Sequence, residues 1–109
     1  MIIRIVKLQF QENRINEFLD FFDTVKYQIN SFPGCQGMKL LHDIATPTIV
    51  MTYSHWENEA ALNAYRDSEL FGSVWPKIKP WFDARPEAWS VTEHFNGFDI
   101  EADSNFKKK

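Results

Sequence analysis

The chain has 109 residues, of which 44% are hydrophobic, which suits one domain with one core. A formal charge of −3 with no basic stripe argues against a nucleic-acid partner, and the run Lys107-Lys108-Lys109 reads as a solvated tail. Aromatic residues are abundant at 16%, including ten Phe and four Trp; at that density they fill a core first, then line apolar pockets and subunit contacts.

Cys35 stands alone, so no internal disulfide forms and no cysteine zinc motif exists; it reads as a small buried hydrophobe. The first residues carry no apolar signal-peptide core, and no apolar stretch approaches the ~20 residues that cross a bilayer. A cytoplasmic location and no membrane partner are the expectation.

Residues 2–10 predict a strand with Ile2, Val6, Leu8 and Phe10 on one face and Ile3 and Ile5 on the other. Arg4 interrupts the first face and needs a partner or an edge. Ile15, Phe18, Leu19, Phe22, Val25, Ile29 and Phe32 then recur at helical spacing, with Asn13 as the N-cap and Pro33-Gly34 as the stop. Residues 35–42 and 49–56 predict two strands joined by a turn at Asp43, Thr46 and Pro47. A short helix follows, capped by Asn58, with Ala61, Leu62 and Tyr65 turned inward. Ser68 caps another, with a stripe of Leu70, Phe71, Val74, Trp75, Ile78, Trp81 and Phe82; Pro76 is expected to kink or split it. Residues 87–95 predict the last strand. The domain is expected to span 1–96 and a polar tail 97–109, with Phe98, Ile100 and Phe106 as the tail's apolar anchors.

Strand, helix, two strands, helices, strand is the order of an α+β, ferredoxin-like split βαβ unit: a four-stranded antiparallel sheet with helices on one face. The other face, with Ile3 and Ile5, or with Ile49, Met51 and Tyr53, is too apolar for water. Burying each such side chain is worth ~1.5–3 kcal/mol, so a twofold homodimer packed sheet to sheet is expected.

The strand Met1-Ile2-Ile3-Arg4-Ile5-Val6, the corner Phe32-Pro33-Gly34-Cys35 and the run Thr52-Tyr53-Ser54-His55-Trp56-Glu57-Asn58-Glu59-Ala60-Ala61-Leu62 resemble the antibiotic biosynthesis monooxygenase family. Tyr65-Arg66-Asp67-Ser68-Glu69-Leu70-Phe71 and the stretch from Pro86 to Val91 extend the likeness to about residue 95. The resemblance implies a dimeric α/β barrel with a pocket between sheet and helices in each subunit. Members of that family oxygenate polycyclic phenols or quinols without metal or flavin, degrade haem, process signalling molecules, or have no known activity, so the resemblance implies a choice among these.

The family's phenol oxidisers carry an Asn, a Trp and a Tyr where this chain has Thr52, Trp56 and Leu62. Its haem-degrading members carry a Trp and a His where Tyr65 and Trp75 stand, so haem degradation is disfavoured. Histidines common in the family are replaced here by Tyr65 and Leu70.

Trp56 reads as a ring wall for a planar substrate or as a strand-to-helix packing residue. Tyr65 reads as a hydrogen-bond donor to substrate or as a core cover with its hydroxyl in water. Phe71, Trp75, Trp81 and Phe82 read first as core. His42, His55 and His94 lie on three strands with no metal-ligand spacing, and His55 falls on the apolar face expected at the dimer contact. Arg66 and Arg85 are candidates for an anionic group.

The expected function is a cofactor-independent monooxygenase acting on a small aromatic or quinol-type compound. Tyr65 and Thr52 are then its catalytic residues, and Trp56, Arg66, Trp75 and Phe71 hold the substrate. No cofactor and no metal are expected. The alternative is a non-catalytic dimer that binds or senses a small molecule.

Overall fold

A computed structural model describes residues 1–102, with side chains described through residue 99. Phe106 and the terminal lysines, together with the side chain of Ile100, lie outside the described residues.

Four strands and three helices follow the expected order: β1 (Ile2–Gln9), α1 (Ile15–Asn30), β2 (Cys35–His42), β3 (Ile49–Trp56), α2 (Glu59–Arg66), α3 (Glu69–Ile78) and β4 (Glu87–Val91). The sheet runs β2-β3-β1-β4, and every pairing is antiparallel. This is the ferredoxin-like α+β plan. Register assigns the faces. Arg4 opposes Ser54 and Ser90, and Val6 opposes Thr52 and Ala88, so these residues share the face under the helices. Ile5, Tyr53 and Trp89 share the other.

The core lies between the helices and the inner face, where Leu8, Phe10, Phe18, Val50, Val74 and Ile78 are buried. Phe10 stacks on Phe18 with ring centroids 4.2 Å apart. Phe82 closes the cluster at 5.3 Å from Phe10, and Trp81 meets Phe21 edge-on at 6.3 Å. On the outer face Ile3 is covered, but Leu41, Trp89 and Val91 are exposed.

Four local expectations need correction. Asn13 does not cap α1. The chain instead turns from Gln11 to Arg14, and Arg14 occupies the cap position with no capping side-chain bond, its guanidinium paired with Glu17 at 2.6 Å. Phe32 lies beyond α1, because the chain leaves the helix at Ser31 and turns Phe32 toward Trp56 and Tyr65. Pro76 does not divide α3, which continues to Ile78 before tightening into a 3-10 turn at Lys79–Trp81. The bond that Pro76 cannot donate would have gone to the carbonyl of Gly72, which is an exposed residue. The last strand stops at Val91 rather than residue 95, since Val91 already pairs with Ile3 and its partner strand begins at Ile2.

Two caps were legible. Asn58 Oδ1 accepts from the Ala61 N–H at 2.9 Å, and Ser68 Oγ accepts from the Phe71 N–H at 3.1 Å. Between them they fix where α2 and α3 begin. The Pro-Gly corner fixes how closely α2 approaches. Gly34 has φ +88°, and a Cβ there would overlap the Ala61 Cβ, so this corner admits α2 only as glycine. The Gly34 carbonyl also accepts from the Glu57 N–H at 2.8 Å, tying the corner to the end of β3.

Candidate active site

A cavity of about 350 Å³ opens between the inner sheet face and the helices. That is the lower end of the size range for small-molecule sites. Its floor comes from Arg4, Val6 and Leu8 of β1 and Thr52 and Ser54 of β3; its far wall comes from Phe71, Val74 and Trp75 of α3. All six expected site residues meet here: Thr52, Trp56, Tyr65, Arg66, Phe71 and Trp75. Trp81, Phe82 and Arg85 are not part of the lining, nor is any histidine. His42 sits at the end of β2 with Nδ1 3.3 Å from the Pro47 carbonyl, and His55 lies on the outer face with Nε2 3.1 Å from the Tyr53 hydroxyl.

Trp56 is both wall and packing residue. It is 1% exposed, and its indole N–H donates to Ser54 Oγ at 2.9 Å. Ser54 Oγ in turn donates to the Arg4 carbonyl at 3.4 Å, so the indole is anchored through β3 to β1. Tyr65, in the last turn of α2, stacks on Trp56 at 5.0 Å and 28°. It meets Phe32 and Phe71 edge-on, each at 5.4 Å. Phe71 stacks in turn on Trp75 at 5.7 Å and 9°. This train of rings runs along one side of the cavity.

The Tyr65 hydroxyl has no hydrogen-bond partner among the described residues, yet no buried side-chain polar atom there is left sealed and unpaired. The hydroxyl is therefore not sealed off, and Tyr65 is part of the cavity lining. Burial, with a smaller push from Cys35, raises its pKa to about 12. At neutral pH it is a neutral phenol, a donor rather than a base. Thr52 supplies a second hydroxyl with no partner within the described residues.

Arg4 is the residue that the sequence pattern did not nominate. It lies mid-strand on the helix-facing side, lines the cavity and donates from Nη1 to Ser90 Oγ at 3.0 Å. Its pKa is lowered, first by burial and then by the charge of Arg66. The available signal was the one noted above, a charge interrupting an apolar strand face.

Fold and cavity together define a ferredoxin-like α+β protein with a cavity between sheet and helices that is walled on one side by aromatic rings. A family model described as antibiotic biosynthesis monooxygenase matches residues 1–74, and the chain belongs to that family. The match includes Thr52, Trp56, Tyr65, Arg66 and Phe71, but Trp75 and β4 lie past it.

Solved structures extend the likeness of fold. A conserved protein from Methanosarcina mazei Go1 is 20% identical, with a TM-score of 0.79 over 85% of this chain and 93% of that one. A structure named antibiotic biosynthesis monooxygenase is 18% identical, with a TM-score of 0.80 over 85% and 98%. Rv0793 from Mycobacterium tuberculosis is 9% identical, with a TM-score of 0.79 over 88% and 97%. No curated protein matches the sequence. Among the described residues no helix is long and apolar enough to cross a membrane.

Proposed function

We propose that the chain is a cofactor-independent monooxygenase, working as a homodimer on a small aromatic or quinol-type compound held in this cavity. The observation that carries the reading is Tyr65, a neutral phenol without a hydrogen-bond partner among the described residues, in the lining of a cavity walled by Trp56, Phe71 and Trp75. In such a reaction the substrate carries the redox burden. The deprotonated ring passes one electron to O₂, and the resulting superoxide and carbon radical combine to a peroxide at a ring carbon. Cleavage of the O–O bond with loss of the remaining C–H proton leaves a carbonyl and releases water. For an anthrone-type methylene, CH₂ plus O₂ becomes C=O plus H₂O.

The chain's residues supply the setting. Tyr65 donates a hydrogen bond to the substrate's anionic oxygen, and Thr52 offers a second donor. Trp56, Phe71 and Trp75 clamp the ring and exclude water, which strengthens those bonds. Arg66 holds the anion at the open edge.

Anthrone in an oxygen electrode, without flavin or added metal, tests this. Protein-dependent O₂ uptake is expected, falling roughly tenfold or more in Tyr65→Phe, the usual cost of a hydrogen bond to a charged group.

A second reading, a binding or sensing dimer without turnover, is favoured by one observation. Among the described residues no histidine, aspartate or glutamate lines the cavity, so that lining holds no ordinary general base. Under that reading phenols bind, while O₂ uptake stays at background across a broad panel of anthrones and quinols.

A further inference from the structure

We propose that the cavity is built for an aromatic acid, its ring in the apolar interior and its carboxylate on the Arg4–Arg66 pair. The inference rests on the ligand site proposed above but not on turnover there.

Two guanidinium groups from different layers line one cavity: Arg4 from the central strand β1 and Arg66 from the last turn of α2. Among the described residues no aspartate or glutamate lines it with them. The ion pairs among the described residues are Lys7–Glu87, Arg14–Glu17 and Lys26–Asp23, and neither cavity arginine takes part. The one side-chain partner of Arg4 among the described residues is the neutral Ser90 hydroxyl, so most of its fork of N–H donors is free for a ligand.

A charge on the helix-facing side of a central strand is costly to desolvate, and a second cation beside it adds to the cost. The lowered pKa of Arg4 reflects both effects, although arginine remains charged throughout the physiological range. An entering oxyanion relieves both at once. A planar carboxylate matches the guanidinium fork in two parallel hydrogen bonds, and the rest of the lining offers rings and aliphatic groups to an aromatic nucleus. A volume of about 350 Å³ suits a bicyclic or tricyclic ligand.

The test measures binding in the absence of O₂ by tryptophan fluorescence near neutral pH. Three probes share one ring system: naphthalene-2-carboxylate, 2-naphthyl phosphate and naphthalene-2-methanol. The carboxylate is expected to bind roughly tenfold or more tightly than the alcohol, and that advantage is expected to shrink by a similar factor in Arg66→Gln and in Arg4→Gln. Arg66 lies on an exposed helix end, so its variant reports even if the Arg4 variant fails to fold. Tighter binding of the phosphate than the carboxylate would replace the carboxylate with a phosphate ester and overturn the assignment. Equal binding of acid and alcohol, an unchanged ratio in Arg66→Gln, or no binding of any probe would overturn the anion site itself. Because O₂ is absent, a protein that binds the acid but never oxidises anthrone leaves this inference standing while defeating the oxygenase.

Discussion

Replacing Tyr65 by Phe separates its cost to the fold from its use to a ligand. The hydroxyl has no partner among the described residues, so near neutral pH its removal is expected to change stability by less than about 1 kcal/mol. At alkaline pH the two proteins part. The folded state holds the phenolic proton to about pH 12, whereas the unfolded chain releases it near 10.0. Below pH 10 both states are protonated, and the contribution is intact. As pH rises from about 10 towards 12, the unfolded state ionises first and gains stability that the folded state does not. A shift of about two pKa units is worth about 2–3 kcal/mol, of which about 2 kcal/mol is lost by pH ~11.5. Urea unfolding at pH ~8.5 and ~11.5 measures it, at one protein concentration because a dimer's stability depends on concentration. Wild type is expected to lose about 2 kcal/mol more than Tyr65→Phe between the two. A tyrosine absorbance step near pH 12 is expected to vanish in the variant. Equal losses in the two proteins would refute the claim that this hydroxyl is buried against the rings.

Trp56→Phe is expected to destabilise by about 2 kcal/mol, combining a lost indole hydrogen bond to Ser54 with a partly unfilled space, and calorimetry is expected to show a lower Tm. A variant as stable as wild type would mean that the ring serves the cavity alone. The outer sheet face, with Trp89 45% exposed and Val91 37% exposed, is expected to pack against a second copy. Light scattering at micromolar concentration is then expected to give twice 12.9 kDa, and Trp89→Lys to shift the protein towards monomer; a wild type that is monomeric throughout removes the sheet-to-sheet barrel.

Periodicity carried most of the fold, because elements with long, clean patterns leave little choice of face. β2 and β3 fall where alternation and turn residues put them, and the caps at Asn58 and Ser68 hold because each supplies a side-chain acceptor to an otherwise unpaired N–H. The misses occurred where a partner decides the outcome rather than the local sequence. β4 ends because β1 has ended, and Phe32 leaves α1 for the Trp56 and Tyr65 rings.

The candidate site divides along the same line. Thr52, Trp56, Tyr65 and Trp75 stand at positions that the family resemblance marks, Arg66 and Phe71 join them by charge and by helical spacing, and all six line one cavity. Helical spacing alone assigns Phe71 and Trp75 to the core, since a ring that walls a pocket and a ring that fills a core share the same spacing. Arg4 shows what single-sequence reading loses. A cation breaking an apolar face is visible in the sequence, but its meaning depends on which face meets the helices and on what stands opposite. Register supplies both: Ser54 and Ser90 flank Arg4, and α2 brings Arg66 to the same space. An edge position or an acidic partner would have made Arg4 an ordinary surface residue. Held mid-sheet with Arg66 in the same lining instead, it gives the described lining two positive charges and no negative one, and a neutral ligand would leave that imbalance where it is.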